Sequence, residues 1–342
     1  MKKNCILKLV LSVVVLIAVA APASSFINVK DAGAAGNGTT DDTAAIQSAI
    51  NSVLAGGTVY FPTGRYKITG SLGLKSNITL EGEGMGNIGD NPVMSQIMAG
   101  GTMASMVSSG GSNVTNVNIC GLNFDARSDL GYSVTWVIYG AQLSDSTFER
   151  MRINRCSGGG IFFGSNTCGN CVFDSILQSD GRNVLLDGSG HLLEGCSVTH
   201  GLGLKQEGPG GHMIYNCHFE RATQAGIKIM DPSGTAGNTV IRNCYFDLNS
   251  YGVYLTYSAA YNADVDIEGC LFRANSQSDI YLNNTIQVDI AGCSMFSHAM
   301  AHDEHIRMVN NCDYITIKAS LFKDDTLNLV GSHSVAAGNV GL

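Results

Sequence analysis

The chain has 342 residues, including 42 glycines and 5 prolines, and 14% of its residues are charged. Its formal net charge of −8 leaves no general positive field, which argues against nucleic acid as a partner. Abundant glycine with little charge is typical of a chain made of many short strands and tight turns.

The amino-terminal segment has the pattern of a secretory signal peptide. Lys2 and Lys3 precede an almost wholly apolar run over residues 9–20, and residues 21–23 (Ala-Pro-Ala) supply the small-residue cleavage pattern. The run is about a dozen residues long, whereas a membrane-spanning helix needs about 20. We therefore expect residues 1–23 to be removed. The mature chain, residues 24–342, should be secreted or periplasmic, with no membrane association after cleavage.

A short helix is predicted soon after this segment. Residues 41–43 (Asp-Asp-Thr) resemble a helix start, and residues 56–57 (Gly-Gly) predict its end. The apolar face of this helix consists of Ile46, Ile50, Val53 and Leu54.

A repeat with a mean period of about 25 residues covers residues 119–322, which indicates a solenoid. Each unit reads aliphatic, two residues, Cys or a small residue, one residue, aromatic. The Cys or small positions are Leu122, Ser146, Cys171, Cys196, Cys217, Cys244, Cys270, Cys293 and Ser320. We predict a left-handed turn at the residue before each of them, because most are Gly, Asn or Asp. These residues are Gly121, Asp145, Asn170, Gly195, Asn216, Asn243, Gly269, Gly292 and Ala319.

A second periodic pattern, apolar-x-apolar, lies further along each repeat and predicts strands with one face inward. The pairs are Ile161/Phe163, Val184/Leu186, Leu202/Leu204, Ile227/Ile229, Val253/Leu255, Ile280/Leu282, Ile306/Met308 and Leu327/Leu329. The two patterns predict an all-β protein: a right-handed parallel β-helix, or solenoid, with a short N-terminal capping helix over its first open rung. We expect one domain over residues 24–342, with regular rungs over 116–330.

Eleven cysteines in an exported chain ordinarily suggest disulfides, but the repeat favours another interpretation. Cys5 lies in the predicted signal peptide. Cys171 and the five later repeat cysteines should form an internal column of free thiols that pack as small apolar groups. Cys168 and Cys171 have the spacing of a redox motif, but we expect both to be core residues.

The segment FINVKDAGAAGNGTTDDTAAIQSAINSVLAGGTVYFPTGRYKI, residues 26–68, and its continuation LKSNITLEGEGMG, residues 74–86, resemble the opening of the pectate-lyase superfamily. The similarity is strongest to the group of polygalacturonase-related proteins, rhamnogalacturonases and mannuronan C5-epimerases. It implies a right-handed β-helix whose cap and first rungs are residues 24–86, and a polysaccharide as partner.

The catalytic signatures of that superfamily are not intact. Ser179-Asp180 stands where polygalacturonases carry Asp-Asp, and His200 corresponds to the histidine of their Gly-His-Gly motif. Residues 164–167 (Gly-Ser-Asn-Thr) replace the Asp-Pro-His-Glu of the epimerases. Asp187 resembles an aspartate that the epimerases carry one rung later.

The resemblance also implies that substrate lies along the outward face of the apolar-x-apolar sheet. The candidate catalytic residues are His200, Asp187, Lys205, Lys228 and Asp180. The candidate substrate-binding residues are Arg182, Tyr251, Tyr254, Tyr257, Glu207 and Asp231. We place Asp187 and Lys205 at the same position of adjacent rungs, where they could also form a merely structural salt bridge.

This mixture of side chains suits proton abstraction beside a uronate carboxylate, which needs a neutralising cation, a base and often a proton donor. Lys205, Lys228 or Arg182 could neutralise, His200 could be the base and Tyr254 the donor. The first hypothesis is therefore β-elimination or C5-epimerisation of an acidic polysaccharide. The alternatives are a glycoside hydrolase of polygalacturonase type and a non-catalytic polysaccharide-binding surface protein.

Acidic residues directly follow the aromatic position of several repeats, where they could form a metal-binding site. Asp125, Glu149 and Asp174 are predicted on consecutive rungs, where they could act in hydrolysis or hold Ca²⁺, or be neutralised by nearby arginines. A histidine-rich stretch, residues 298–305, has residues that bind zinc, but we expect an ordinary polar loop. The sequence requires no cofactor, and Ca²⁺ stays open. It does not indicate an oligomeric state.

Overall fold

A computed structural model describes residues 24–86, 94–207, 210–230, 238–296, 304–323, 326–328 and 334–339. The predicted signal peptide lies outside the described residues. Within the described ranges, no helix is both long and apolar enough to cross a membrane.

The chain winds through three parallel sheets, so that each turn of the winding adds one strand to each sheet. Sheet I consists of Leu72–Gly73, Met103–Ser108, Val134–Gly140, Gly159–Phe163, Arg182–Leu186, Leu202–Gln206, Ala225–Ile229, the first part of Tyr251–Glu268, the first part of Ser278–Ala291, Glu304–Val309 and Thr326–Asn328.

Sheet II contains the second parts of the two long strands and eleven others. They are Ser24–Asn28, Val53–Phe61, Ile78–Gly82, Val117–Cys120, Thr147–Glu149, Cys171–Phe173, Leu192–Glu194, Met213–Tyr215, Thr239–Arg242, Asp313–Lys318 and Val335–Ala337. The long strands Tyr251–Glu268 and Ser278–Ala291 run through both sheets without a break.

Sheet III closes the third side. It consists of Asn37–Asp41, Gly64–Ile68, Ser95–Ala99, Asn123–Asp125, Arg152–Cys156, Ile176–Ser179, Ser197–Thr199, His218–Glu220, Tyr245–Asp247, Leu271–Arg273, Ser294–Phe296 and Leu321–Lys323. Two further elements are a two-stranded pair, Val114–Thr115 with Leu143–Ser144, and a 3₁₀ helix, Ser128–Leu130. The predicted all-β parallel β-helix is confirmed.

Helix α1, Thr43–Ser52, is the predicted N-terminal helix, and its buried face packs on the first rungs. The helix ends earlier than predicted, because Val53 already starts a strand of sheet II and Leu54 is 47% exposed. Asp42 does not cap the helix with its side chain. Its carboxylate instead accepts hydrogen bonds from the amides of Ala35 and Gly36, at 2.7 and 3.0 Å, and thereby fixes the preceding loop.

The interior is a set of apolar columns that follow the sheet register. In sheet III, Phe219, Phe246 and Phe272 stack with ring centroids 5.3 and 4.8 Å apart. In sheet I, Leu204 pairs with Val184, so the predicted inward pair Leu202/Leu204 is displaced by two residues along its strand. The inward pair on that rung is Leu204 and Gln206. The buried amide of Gln206 is satisfied there, because its Oε1 accepts a hydrogen bond from the Thr239 hydroxyl at 3.1 Å.

The predicted left-handed turns are confirmed at eight of the nine positions, with φ between 47° and 67°. Asn170 is the exception, because Gly169 has the positive φ on that rung. In the repeats at residues 143–148 and 168–173, the predicted turn lies at the corner before the sheet II strand, whereas in the other repeats it lies at the corner after that strand. At the main corner of those two rungs, Arg150 and Asp174 are the left-handed residues.

The cysteine column is one residue shorter than predicted. Cys196, Cys217, Cys244, Cys270 and Cys293 are buried, whereas Cys171 is half-buried in a strand where it pairs with Leu192. Cys168 is exposed, so the prediction that it is a core residue is wrong. All ten described cysteines are free thiols, as predicted.

Candidate functional site

A ladder of outward side chains runs along sheet I, because successive strands pair in register and alternate residues face outward. Each member is the partner of the next across neighbouring strands. The ladder consists of Tyr139, Phe162, Leu185, Lys205, Lys228, Tyr254, Tyr281 and Arg307.

Two lysines are direct partners at the centre of the ladder. Lys205 lies opposite Lys228 on adjacent strands, and its ammonium forms an ion pair with Glu207. Lys228 is half-buried and forms no ion pair with any residue that the structure describes. Burial lowers the pKa of Lys228 and the charge of Lys205 lowers it further; Glu207 acts in the opposite direction, and Arg182 adds a smaller lowering. Two ammonium groups side by side repel each other, so they favour binding of an anion at this point of a protein that is acidic overall.

Tyrosines continue the ladder beyond Lys228. The Lys228 ammonium lies 5.3 Å from the centroid of the Tyr254 ring, and Tyr254 stacks on Tyr281 at 4.5 Å with an interplanar angle of 3°. Tyr251 meets Tyr254 edge-on at 4.9 Å. Burial raises the pKa of both Tyr251 and Tyr254, so these phenols keep their protons and can donate hydrogen bonds.

A groove of about 400 Å³ lies beside these rings on the outer face. It is lined by Thr223, Gln224, Ala225, Lys228, Ser250, Tyr251, Tyr254 and Gln277. The groove combines one ammonium with two aromatic faces and several hydroxyl and amide groups. Such a lining can bind a polar ligand that has apolar faces, and it favours an anion.

Two carboxylates flank the lysine pair, in an arrangement different from the predicted one. Because Leu186 pairs with Gln206, the residues that follow them, Asp187 and Glu207, lie on adjacent rungs. Burial raises the pKa of Asp187, and the charge of Glu207 raises it further. The prediction that Asp187 faces Lys205 is wrong, since the register shift described above moves Lys205 opposite Leu185.

His200 and Asp180 lie in the turns that precede sheet I and not on its ladder. His200 has a left-handed backbone, φ 65°, and its amide donates to the carbonyl of Glu220. Its Nδ1 is buried without a partner among the described residues. Asp180 is exposed. Among the described contacts, no hydrogen bond or ion pair joins either residue to the lysine pair.

The remaining predicted binding residues are divided between the two faces of sheet I. Tyr257 is 5% exposed and packs in the core, so its prediction as an outward binding residue is wrong. Its position has inward parity, two residues after the core residue Leu255. Arg182 is exposed and lines a separate groove beside Trp136. Asp231 lies outside the described residues.

The predicted acidic column does not form. Asp125 is buried in sheet III, where its Oδ1 accepts a hydrogen bond from Nε of Arg155 at 2.8 Å, whereas Glu149 belongs to sheet II. Asp174 lies exposed in a turn. The described part of the chain contains no group of three or more His, Cys, Asp or Glu side chains arranged to hold a metal ion.

The histidine stretch is not a simple polar loop either, although His298 and His302 lie outside the described residues. His305 is fully buried in the strand Glu304–Val309. Its Nδ1 lies 2.6 Å from Oδ2 of Asp279, and its Nε2 lies 3.0 Å from the carbonyl oxygen of Lys323.

The sequence predictions named three of the eight ladder members and missed Tyr139, Phe162, Leu185, Tyr281 and Arg307. For Tyr281 and Arg307 the signal was present, because each lies between two apolar residues already assigned to the core. Ile280 and Leu282 flank Tyr281, and Ile306 and Met308 flank Arg307.

The fold and the ladder define a parallel β-helix protein with a row of cations and aromatic side chains along one sheet and, beside it, a groove lined by Lys228, Tyr251 and Tyr254. The chain belongs to the family described as rhamnogalacturonase A/epimerase, pectate lyase-like, whose model matches residues 26–272.

Three comparisons place this family membership among characterised proteins. Mannuronan C5-epimerase AlgE3 of Azotobacter vinelandii is 35% identical over 173 residues, 45% of this chain and 9% of that protein. Alginate lyase 7 of the same organism is 50% identical over 68 residues, 17% of this chain and 8% of that protein. The chain therefore spans only a small part of either relative. The A-module of A. vinelandii mannuronan C-5 epimerase AlgE6 superposes with a TM-score of 0.74 and 19% identity, covering 92% of this chain and 98% of that module.

Proposed function

We propose that this protein is a secreted or periplasmic carbohydrate-active enzyme that binds an acidic polysaccharide along sheet I. The proposed reaction is abstraction of the C5 proton of a uronate unit, leading to β-elimination or C5-epimerisation. The single observation that carries the proposal is the Lys205–Lys228 pair, in which Lys228 has no carboxylate partner among the described residues. A uronate carboxylate supplies the missing negative charge.

The chemistry follows from what lies around that pair. When the C5–H bond breaks, negative charge moves onto the uronate carboxyl group, and a positioned cation stabilises it most at that moment. Asp187 replaces His200 as the proposed base, because its raised pKa makes it a stronger base than an ordinary carboxylate and it lies one rung from Glu207, the ion-pair partner of Lys205.

Tyr254 lies three strand steps from Asp187, about 14 Å, so its proposed role is to stack on a neighbouring sugar of the same polymer. In elimination, Asp187 takes the C5 proton, the C5–H electrons form the C4=C5 double bond, the C4–O bond breaks, and the departing oxygen takes a proton from water. In epimerisation, C5 instead regains a proton from water on the opposite face. The names of the relatives support this pair of outcomes, since AlgE3 is a mannuronan C5-epimerase and the shorter match is to an alginate lyase.

A glycoside hydrolase is the second candidate, and a specific observation favours it. Asp187 and Glu207 lie on adjacent rungs, which are about 4.8 Å apart, close to the carboxylate separation of about 5 Å in retaining glycosidases. In that reaction the carboxyl with the raised pKa, Asp187, would be the acid and Glu207 the nucleophile. The ion pair between Glu207 and Lys205 makes this candidate weaker.

The test incubates the purified protein with polymannuronate, polygalacturonate and a neutral glycan. Unsaturated uronates are followed by absorbance, new reducing ends by a chemical assay, and C5 configuration by NMR. A lyase raises the first two signals, a hydrolase only the second, and an epimerase only the third. Activity on the neutral glycan alone would contradict the proposal.

Lys228→Gln is the matching variant. We expect it to lower turnover of the acidic polymer by about a hundredfold or more, since it removes a charge needed most in the transition state. The control is Lys318→Gln, which removes an exposed lysine from the outer face of sheet II. Equal activity of Lys228→Gln and Lys318→Gln would show that the lysine pair takes no part in the reaction. If the unmodified protein gives no product and Lys228→Gln weakens its binding to the acidic polymer, the non-catalytic alternative is favoured.

A further inference from the structure

A second groove opens on sheet I, several rungs before the lysine pair. One of its walls is the half-buried Trp136 ring, which stacks on Phe162 at 5.4 Å, and Phe162 stacks in turn on Tyr139 at 5.1 Å behind the groove. The Trp136 indole lies directly against Gly159, where a Cβ atom would come within 2.0 Å of the indole Cζ3. Only glycine is compatible with this placement, so the local sequence holds the indole flat on the sheet.

The groove has a volume of about 290 Å³ and is lined by Thr135, Trp136, Gly158, Gly159, Gly181 and Arg182. Part of its floor is backbone, because a Cβ on Gly181 would lie 2.1 Å from the carbonyl oxygen of Gly158. Arg182 is exposed beside the indole and forms no ion pair with a described residue. A flat ring, a smooth floor and a free guanidinium suit a sugar that carries a carboxylate.

The two grooves belong to one continuous surface. From Phe162 the ladder passes through Leu185 and the lysine pair to Tyr254, which is four strand steps. At a strand spacing of about 4.8 Å, the span is about 19 Å.

We infer that the Trp136 groove is a second sugar-binding subsite of the same tract, which makes the protein selective for long uronate oligomers over short ones. Aromatic rings at the two ends receive the apolar faces of sugars, and the three cations between them receive carboxylates. This inference depends on the proposed function, since it assumes the same acidic ligand at the lysine pair.

The experiment measures binding of oligomannuronates from disaccharide to octasaccharide by calorimetry. We expect affinity to rise until the oligomer reaches both grooves and then to level off. Trp136→Ala should weaken binding of the octasaccharide by about tenfold and leave that of the disaccharide unchanged, whereas Trp136→Phe should restore most of it. Arg182→Gln should weaken octasaccharide binding in a salt-dependent way.

Tyr245→Ala is the control, since it removes a half-buried outward ring from sheet III. If Trp136→Ala fails to fold, as judged by its melting curve, Arg182→Gln alone decides the question. Binding of short oligomers with no gain from length and no effect of either variant would overturn the second subsite while leaving the proposed function standing. Failure of every uronate oligomer to bind would instead overturn the proposed function. Equal affinity for neutral oligosaccharides would overturn the assignment to acidic sugars.

Discussion

His191 shows how a single buried polar residue can serve the backbone of a neighbouring rung. Its Nδ1 accepts the amide hydrogen of Asn170 at 3.2 Å, and its own amide donates to Nδ1 of His212 at the same distance. The two imidazoles are nearly parallel, 5.4 Å apart. Because Nδ1 is an acceptor, the remaining proton lies on Nε2, which faces the Thr167 hydroxyl at 3.2 Å. The neutral ring therefore completes the interior hydrogen bonding of this corner.

This arrangement predicts a pH-dependent stability. Burial, with a contribution from His212, lowers the pKa of His191 from 6.5 to about 3. Between these values the unfolded chain binds a proton that the folded chain excludes, so the free energy of unfolding falls as pH falls from about 6.5 to about 3, by a few kcal/mol. His191→Asn keeps an acceptor and should flatten this dependence in urea unfolding at pH 7 and pH 4.5. His218→Asn, on the outer face of sheet III, is the control; an unchanged slope in His191→Asn would exclude His191 as the cause.

At the scale of the element, the corner between sheets II and III is made by left-handed residues of a few types. Asn216, Asn243, Gly269 and Gly292 occupy it on successive rungs. The Asn243 amide lies over Gly269, where a Cβ would come within 2.7 Å of the Asn243 Oδ1. Glycine at position 269 thus leaves room for the Asn243 side chain of the preceding rung as well as turning the chain.

Asn243→Val tests this corner. A β-branched residue at φ 52° should cost on the order of 1–2 kcal/mol of stability, whereas Asn243→Gly should cost less because glycine adopts this conformation freely. Urea unfolding measures both. Ser294→Val places the same side chain in the extended outward strand Ser294–Phe296 as a control. Equal stabilities of Asn243→Val and Ser294→Val would show that the turn imposes no strain.

At the scale of the whole molecule, the protein is a stack in which each rung contacts mainly its neighbours. The five buried thiols from Cys196 to Cys293 cross this stack and report on how it opens. Hydrogen bonding with Cys217 and then burial raise the pKa of Cys196, and hydrogen bonding with Cys270 and then burial raise the pKa of Cys293, which suppresses the reactive thiolate at both residues.

A thiol reagent should therefore label the native protein first at Cys168, which is exposed, and more slowly at Cys171. After denaturation all ten described cysteines should react. Cys168→Ser should remove the fast native reaction. With increasing urea, simultaneous labelling of the five column cysteines would indicate cooperative opening, and labelling of the column without urea would contradict the closed core.

Sequence periodicity predicted the solenoid, its apolar interior and most of its left-handed turns, because each depends on local residue type. The burial of Tyr257 could have been predicted from its inward parity after Leu255. The pairing of Asp187 with Glu207 could not, because it depends on register between rungs, and a strand such as Leu202–Gln206, whose polar residue can be buried once hydrogen-bonded, fits two registers equally well by pattern alone. Lys205, Lys228 and Tyr254 were predicted on the outward face of one sheet, where the structure has them, but their contacts required the structure.

The two strands that pass from sheet I into sheet II bear on hydrogen exchange. Elsewhere a loop separates these sheets, so one sheet of a rung can open while the other stays closed. Tyr251–Glu268 and Ser278–Ala291 pair on both sides of the corner, with register shifts between Thr256 and Tyr261 and between Asn262 and Val265. Opening either sheet there strains the other, so these amides should exchange slowest with solvent. The tyrosine end of the groove, which these strands carry, is thus the most rigid part of the proposed binding surface.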